Sequence, residues 1–362
     1  MSTTPFRAAV IGLGVGGAHI DGYLRSPHSA IVAVCDTSPA RLAERAAQYK
    51  IASERAFADY RTMLRVATPN IVSVCLPNAL HLDATIASLE AGAHVLCEKP
   101  LATNTADAKK MLDAAKANHR ELMVCYNHRY RADVQWIKRM VSEGKLGDIY
   151  HAYAWWRRET GIPGSGWFSQ KEMSGGGALI DIGVHMLDMS LWLLGFPKAE
   201  TVSANVTSNF GGRGLKVWGS PRWMNDANAD KFDVDDSAVG FIRLAGGKTI
   251  NLHASWAEHA QPGQDLIHLE LHGTEGTVVL HVPNYVKEDT LRFYTEVGGT
   301  AVTISPKVRW GLYSHEALIV DVLEALVNGH PLPTEATQGL QAVEILEGMY
   351  QSSQTRREVV FG

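Results

Sequence analysis

The chain of 362 residues is poor in cysteine and has only a slight excess of acidic over basic residues. Its four cysteines lie near the ends of strand-like runs, and none has the close C-x-x-C spacing of a zinc site. We therefore expect them to be small core residues in a reducing compartment. They are Cys35, Cys75, Cys97 and Cys125. The formal net charge is −4 with mixed signs, which argues against nucleic acid as a partner and favours a small-molecule ligand.

The sequence also lacks an evident signal peptide, membrane span, internal repeat or low-complexity segment. Its first residues form a short polar lead rather than a positive region followed by an apolar core. The most apolar stretch, residues 178–196, is interrupted by Asp181, His185 and Asp188, which predicts a buried helix with a polar stripe. These features predict a cytoplasmic protein without a membrane partner.

The first third of the chain alternates short apolar segments with alanine-rich helical ones. This pattern is typical of a doubly wound parallel sheet with right-handed crossovers. The predicted strands are residues 8–11, 31–35, 71–76, 94–97 and 122–126.

After Arg129 the pattern changes to longer alternating strands and glycine-rich turns, with all nine tryptophans. It predicts a mostly antiparallel sheet. We therefore expect an α/β chain with a Rossmann domain over residues 1–127 and an α+β domain for substrate binding over residues 128–362, whose last helix packs back on the body. Residues 211–230 predict a long loop that is either a lid or an intersubunit arm.

The first predicted strand breaks into a G-x-G-x-x-G turn that opens a helix. Gly12 permits the tight turn, Gly14 lets the backbone approach a pyrophosphate, and Gly17 lets helix and strand pack closely. The helix N-terminus adds free N–H donors and a positive dipole end. The turn residues expected to contact a dinucleotide are Gly12, Gly14, Val15, Gly16 and Gly17.

The second predicted strand ends in Asp36, where a carboxylate accepts hydrogen bonds from the ribose of NAD. This charge repels the 2′-phosphate of NADP, although Arg41 softens the preference. At the carboxyl edge of the next strand, Pro77, Asn78 and His81 are candidates for lining the cofactor cleft. A glycine-rich turn with a surface Asp36 remains the alternative for the motif, and a surface position at a helix N-terminus remains open for His81.

A second motif, Glu98-Lys99-Pro100, lies where a parallel strand ends. The turn directs the Lys99 ammonium into the cleft beside a bound nicotinamide, and Pro100 fixes that turn, with a cis bond before it as one option. The alternative is a solvated surface lysine.

Three glycines at 175–177 open a helical stretch in which Asp181 and His185 share one face, continued by Asp188. The glycines allow a ligand or another backbone to approach the helix start closely. Burying these polar groups is costly unless they are paired or used in chemistry. Two alternatives remain, an Asp–His pair satisfied within a core and a two-ligand metal site; we expect no metal, because no third ligand at helical spacing is evident.

In this order, the motifs resemble the Gfo/Idh/MocA oxidoreductases, a family that includes glucose-fructose oxidoreductase and inositol dehydrogenase. The resemblance covers essentially the whole chain. It rests on the glycine fingerprint 12–17, Glu98-Lys99-Pro100, the YNHRY segment 126–130, and the glycines 175–177 that lead to Asp181 and His185.

The resemblance implies hydride transfer from a secondary alcohol of a sugar, glycoside or cyclitol to nicotinamide, with Lys99, Asp181 and His185 as the catalytic group. Neutral His185 would accept the hydroxyl proton, Lys99 would donate a hydrogen bond to the same oxygen, and Asp181 would orient a hydroxyl or the imidazole. Lys99 and His185 could exchange roles. Family analogy adds Asn127 and Arg129 as contacts to cofactor or substrate, with an interdomain ion pair as the alternative for Arg129. Glu98 is a further candidate for cofactor binding.

Trp155, Trp167 and Arg158 are further substrate candidates, because aromatic faces pack on sugar rings and Arg158 can bind an anionic substituent. Strand alternation puts Trp155 and Trp156 on opposite faces, so at most one lines the site. In the family the large sheet commonly pairs between subunits, which implies a homodimer or homotetramer. Two other functions remain open: an NAD-dependent redox-neutral glycosidase and a non-catalytic NAD-binding sensor.

Overall fold

The computed structural model describes residues 5–163, 166–217 and 232–362, which divide into two compact units. The first unit contains residues 5–130 and Leu312–Leu340, and the second contains the described parts of Arg131–Gly311 together with Gln341–Gly362. The proposed boundary at residue 127 therefore differs from this division, mainly because residues 312–340 belong to the first unit.

The first unit is built on a six-stranded sheet whose strand pairs are all parallel, in the order β3-β2-β1-β4-β5-β6. Its strands are β1 (Phe6–Ile11), β2 (Ser29–Cys35), β3 (Ala56–Phe57), β4 (Ile71–Val74), β5 (His94–Glu98) and β6 (Leu122–Cys125). The predicted α/β architecture is confirmed. Strand β3 was not predicted because it has only two residues and no apolar run.

The second unit contains a nine-stranded sheet, in the order β14-β13-β12-β11-β7-β10-β9-β8-β15. Its pairs are antiparallel except for β7 with β10. The strands are β7 (Ile149–Arg158), β8 (Ala199–Thr207), β9 (Ser237–Leu244), β10 (Lys248–Ser255), β11 (Asp265–Gly273), β12 (Gly276–Pro283), β13 (Leu291–Val297), β14 (Thr300–Ile304) and β15 (Val359–Val360).

Ten α-helices occur in the described residues. They are α1 (Gly16–Arg25), α2 (Pro39–Gln48), α3 (Tyr60–Ala67), α4 (His81–Glu90), α5 (Thr105–Ala117), α6 (Ala132–Ser142), α7 (Lys171–Ser174), α8 (Val184–Leu194), α9 (Ser314–Asn328) and α10 (Ala336–Thr355). A π-helical turn, Leu179–Gly183, directly precedes α8.

Helix α9 belongs to the first unit because its apolar face is part of that unit's core. Leu318 and Ile319 are buried in the same cluster as Ile20 and Tyr23 of α1. Gly22 permits the close approach of the two helices, since a Cβ at this position would lie 2.8 Å from the Ile319 Cδ1.

The segment Lys171–Leu194 contains α7, the π turn and α8. Within the described part of the chain, it alone is long and apolar enough to cross a membrane, and 83% of its most apolar window is buried inside the protein. This burial is what a core helix of the second unit shows, as the interruptions by Asp181, His185 and Asp188 predict.

Candidate active-site residues

The glycine turn between β1 and α1 has the geometry of a phosphate-binding loop. Gly12 has φ +87°, and a Cβ there would lie 2.2 Å from the carbonyl oxygen of Cys75. At Gly14, by contrast, no described atom lies within 4 Å of such a Cβ, which leaves space for a ligand. Helix α1 begins at Gly16, and Val15 at its N-cap is 39% exposed. A helix N-terminus is where backbone N–H groups can bind a phosphate, and in this one the Ala18 N–H already donates to the Val15 carbonyl at 2.9 Å.

Gly16, rather than Gly17, lets helix and strand pack closely. A Cβ at Gly16 would lie 2.8 Å from the Val10 Cγ1 in β1. At Gly17 it would meet the hydroxyl of Tyr49 at 3.3 Å, and that hydroxyl donates to the Gly17 carbonyl. The motif has two adjacent glycines, Gly16 and Gly17, so the sequence could not distinguish their roles.

Asp36 follows β2 and is oriented by backbone donors. Its carboxylate accepts 2.8 Å hydrogen bonds from the N–H groups of Leu13 and Ser38, and Arg41 lies 3.4 Å away with its side chain half exposed. Oδ1 accepts from the Ser38 N–H, and a carboxylate oxygen has a second lone pair that can accept a further donor. Together with the open space at Gly14, this donor and acceptor set fits a dinucleotide with a ribose hydroxyl at Asp36.

Glu98 ends β5 and lies in a buried polar network, and its contact with the cofactor stays a prediction. Its Oε1 is 2.9 Å from the His19 Nε2 and 3.3 Å from the His315 Nε2, and its Oε2 accepts from the Lys99 N–H at 3.2 Å. The Cys125 thiol also hydrogen-bonds to this carboxylate. Burial opposes its ionisation, but the hydrogen bonds from His19 and His315 hold the pKa of Glu98 well below its usual range.

His81 hydrogen-bonds to two backbone carbonyls, and its cofactor contact stays a prediction. Its side chain is completely buried, with Nδ1 2.8 Å from the Pro100 carbonyl and Nε2 2.9 Å from the Leu76 carbonyl. Burial lowers the pKa of His81, so the neutral ring joins the turns that follow β4 and β5. Pro77 and Asn78 lie in the first of these turns, where Asn78 begins a short 3₁₀ helix and is buried.

Arg129 is 1% exposed, and its cofactor contact stays a prediction. Its Nη1 donates to the Pro333 carbonyl at 3.0 Å and to the Gln338 Oε1 at 2.7 Å. These bonds remain within the first unit and attach the segment after β6 to Leu312–Leu340. Asn127 is partly buried and donates to the Ser314 Oγ at 3.0 Å.

Lys99 directly follows β5 and is partly buried, and its bond to Pro100 is cis. The Glu98 network therefore fixes the backbone of Lys99 on one side, and the His81 bond to Pro100 fixes it on the other.

In the second unit, Gly177 of the triglycine segment is required by the close approach of another backbone. A Cβ at Gly177 would lie 1.7 Å from the carbonyl oxygen of Asp235. The Asp235 carboxylate accepts from the N–H groups of Gly177 at 2.7 Å and Leu179 at 2.9 Å, while its carbonyl accepts from Ala178 at 3.1 Å. Asp235 therefore holds the start of the helical segment that carries Asp181 and His185.

Asp181 lies in the π turn and His185 in the first turn of α8. The Trp256 indole N–H donates to the Asp181 Oδ2 at 3.0 Å, and the His185 ring lies 5.8 Å from the Trp156 ring centroid. Trp256 and Trp156 are buried, and π turns of this kind occur frequently at functional sites. An acid and an imidazole thus lie among indole rings.

Trp156, rather than Trp155, lies on the sheet face of His185, and the substrate contact of Trp155 stays a prediction. Adjacent residues of a strand face opposite sides. The Trp155 ring stacks on His268 with a centroid distance of 4.0 Å and an interplanar angle of 11°. Trp156 has the side chain oriented toward His185.

Arg158 lies on the same face as Trp156 and is 7% exposed. It forms a 3.0 Å ion pair with Asp265, and its Nη2 donates to the Tyr285 hydroxyl at 3.2 Å.

Trp167 stacks on Phe168 at 3.9 Å in a short 3₁₀ helix, Trp167–Ser169. Residues 218–230 of the predicted lid or arm lie outside the described residues, and its start forms a 3₁₀ turn, Gly211–Arg213.

The chain matches two family models in succession. Residues 6–126 match the model for the oxidoreductase family with an NAD-binding Rossmann fold, and residues 134–279 match the GFO/IDH/MocA C-terminal domain. The chain belongs to the GFO/IDH/MocA oxidoreductase family. It is therefore an oxidoreductase with a binding domain for a nicotinamide cofactor, as the motifs predict.

Two curated relatives and one solved structure illustrate the similarity. The chain is 32% identical to D-glucoside 3-dehydrogenase of Escherichia coli, with 99% of this chain and 98% of that protein covered. It is 31% identical to levoglucosan dehydrogenase of Pseudarthrobacter phenanthrenivorans, over 72% of this chain and 66% of that protein. A structure of levoglucosan dehydrogenase in complex with NADH and levoglucosan has a TM-score of 0.83 at 25% identity and covers 99% of both chains.

Sequence reasoning missed several residues of these networks, namely His19, His315, Trp156, Trp256, Asp265 and Tyr285. Only Trp156 had a usable signal, because strand alternation already made it the alternative to Trp155. The others meet their partners through tertiary contacts between distant segments, which no local pattern reveals.

Proposed function

We propose that this protein is an NAD-dependent dehydrogenase that oxidises a secondary hydroxyl of a neutral sugar, glycoside or cyclitol. The observation that carries the proposal is that Asp181 and His185 lie on one helical segment, where Asp181 contacts the indole of Trp256 and His185 lies beside that of Trp156. Imidazole supplies a base for a hydroxyl proton, and aromatic rings provide the apolar surface that sugar C–H groups pack against. The names of the relatives, which include glucoside and levoglucosan dehydrogenases, agree with this substrate class.

In the proposed reaction, His185 accepts the proton of the substrate hydroxyl as the C–H bond of the carbon that bears this hydroxyl breaks. Lys99 donates a hydrogen bond to the same oxygen and stabilises its developing negative charge, while Asp181 orients a hydroxyl or the imidazole. The nicotinamide, when bound, supplies the hydride acceptor. Trp256 keeps the Asp181 carboxylate in place through its indole N–H.

NAD is the proposed cofactor in preference to NADP. Asp36 is held against the glycine turn by the Leu13 N–H, so its charge lies where a ribose hydroxyl would bind. A 2′-phosphate there would meet the carboxylate. The exposed Arg41 is the residue that reduces this penalty.

The test is the absorbance of reduced nicotinamide when inositols, aldoses and glycosides are mixed with purified protein and NAD, then NADP. We expect stoichiometric NADH from at least one neutral polyol, and turnover lost in Lys99→Ala and His185→Asn variants that still bind NADH. Glycoside cleavage without net NADH would indicate the redox-neutral glycosidase. NAD binding without any turnover would indicate the sensor.

A further inference from the structure

Tyr285 occupies a strained backbone position near the proposed catalytic pair. Asn284 and Tyr285, which directly follow β12, have φ values of 47° and 58°. A bulky residue such as tyrosine in this left-handed region is a true outlier, and such strain is concentrated at functional sites.

The strained turn is held by specific hydrogen bonds. The Asn284 N–H donates to the Asp265 carbonyl at 2.6 Å, and the Asp265 N–H donates to the Asn284 Oδ1 at 2.9 Å. Two residues further on, the Trp310 indole N–H donates to the Lys287 carbonyl at 2.9 Å. The segment is therefore fixed on both sides of Tyr285.

This turn sets Tyr285 against the aromatic surface that also meets His185. The Tyr285 ring is edge-on to Trp156 with 6.0 Å between centroids, and the same Trp156 ring lies 5.8 Å from His185. Tyr285 nevertheless remains 47% exposed. Its hydroxyl accepts from Arg158, so its own proton can be donated to another oxygen.

The positive charge of Arg158, which donates to the Tyr285 hydroxyl, is compensated by Asp265. Asp265 accepts from the Arg158 Nε at 3.0 Å through Oδ2 and from the Trp156 indole at 2.7 Å through Oδ1. The Arg158 guanidinium also lies 4.9 Å from the Trp156 ring centroid. With its cation paired in this way, Arg158 offers no free positive charge to an anionic substituent, so the surface suits an uncharged ligand.

We propose that Tyr285, braced by Trp156, Arg158 and Asp265, is a specificity residue that binds the part of a neutral sugar substrate remote from the carbon being oxidised. The ring packs on C–H groups, and the hydroxyl donates to a sugar oxygen. This inference rests on the proposed dehydrogenase function and refines its substrate class. It also corrects the earlier expectation that Arg158 binds a carboxylate or phosphate.

The first test compares Tyr285→Phe and Tyr285→Ala with a matched control, Tyr150→Ala. Tyr150 is a 53% exposed tyrosine at the opposite end of β7 from Arg158. For the best neutral glycoside, we expect Tyr285→Ala to raise KM about tenfold or more and Tyr285→Phe to raise it less, with kcat within about threefold of wild type. NADH binding, followed by nicotinamide fluorescence, and the control variant should be unchanged.

The second test uses Asp265→Asn, which keeps the side-chain shape and removes the charge that compensates Arg158. We expect the ratio of kcat/KM for a methyl glucoside over the corresponding methyl glucosiduronic acid to fall about tenfold or more. Thermal unfolding of each variant checks that it is folded. If Asp265→Asn does not fold, the KM of Tyr285→Phe compared with that of wild type is the measurement that tests the proposal.

The outcomes separate the two proposals. If the wild-type enzyme oxidises no sugar or cyclitol, the proposed function is wrong and this inference fails with it. If wild type is active but both Tyr285 variants keep its KM across the panel, or wild type prefers the uronic acid, only the role of Tyr285 is overturned.

Discussion

Substituting Gly177 by alanine should unfold or strongly destabilise the second unit, because the new methyl group would collide with backbone. A Cβ at position 177 would lie 1.7 Å from the carbonyl oxygen of Asp235, 2.7 Å from the carbonyl carbon and 2.9 Å from the backbone nitrogen of the same residue. None of these atoms belongs to a flexible side chain, so the two segments must separate by more than an ångström to restore an ordinary contact.

The cost can be estimated from the hydrogen bonds that this separation breaks. Asp235 accepts the N–H groups of Gly177, Ala178 and Leu179 at 2.7, 3.1 and 2.9 Å. Bonds to a carboxylate contribute about 1.5–3 kcal/mol each and the neutral bond about 1 kcal/mol. With partial relaxation, we expect the free energy of unfolding to fall by about 4 kcal/mol.

Urea denaturation followed by tryptophan fluorescence measures this loss, because all nine tryptophans follow residue 130 in the sequence. The matched control is Gly311→Ala, where φ is not positive and a Cβ would meet no described atom within 4 Å. Its stability should change by less than about 0.5 kcal/mol. A loss below about 1 kcal/mol in Gly177→Ala would refute the account of the Asp235 contact.

Three other predictions concern the cofactor, the buried network and the sheet faces. Asp36→Asn should shift the kcat/KM ratio toward NADP by about tenfold or more, because the repelling charge is removed; an unchanged ratio in initial-rate assays would contradict the role of Asp36. The pKa of Glu98 is lowered in the folded state, so its stabilisation is present above its ordinary pKa of 4.5 and is lost as the pH falls through the folded pKa. Thermal unfolding at several pH values should therefore show a weaker acid dependence in Glu98→Gln, and equal curves would refute this. Trp155→Ala should leave kcat/KM unchanged, whereas Trp156→Phe should lower it about tenfold; the reverse pattern would contradict the assignment of faces.

The Rossmann sheet was predictable because each of its main strands is an uninterrupted apolar run, and the turn after β1 has a distinctive glycine spacing. The helix that carries Asp181 and His185 was predictable for a similar reason, since three glycines and a periodic apolar pattern mark it. These patterns depend on residues that are close together in the chain, so they can be recognised from the sequence alone.

The partners of three cofactor candidates could not be predicted from the sequence. His81 was a candidate because it follows a strand at the edge where ligands bind, whereas Arg129 came from family analogy and Glu98 from its motif. In the structure they hydrogen-bond to partners from other parts of the chain, such as the Pro100 carbonyl for His81 and His315 for Glu98. Whether a polar side chain is buried against such a partner depends on tertiary packing, and one sequence does not encode it locally.

The same cause explains the placement of α9. Its apolar positions are typical of a helix, but the core it joins is set by the close approach to Gly22 in α1. Helical periodicity identifies an apolar face without identifying which of two units covers it.

The most direct test of the central claim is isotopic. Purified protein is incubated with NAD and glycosides or cyclitols that carry deuterium on their ring carbons, and the NADH formed is analysed by mass spectrometry. Hydride transfer from a secondary carbinol predicts NADH that is one mass unit heavier, with none formed by His185→Asn. NADH without deuterium, or no NADH and no oxidised or cleaved sugar from any substrate, would contradict the account.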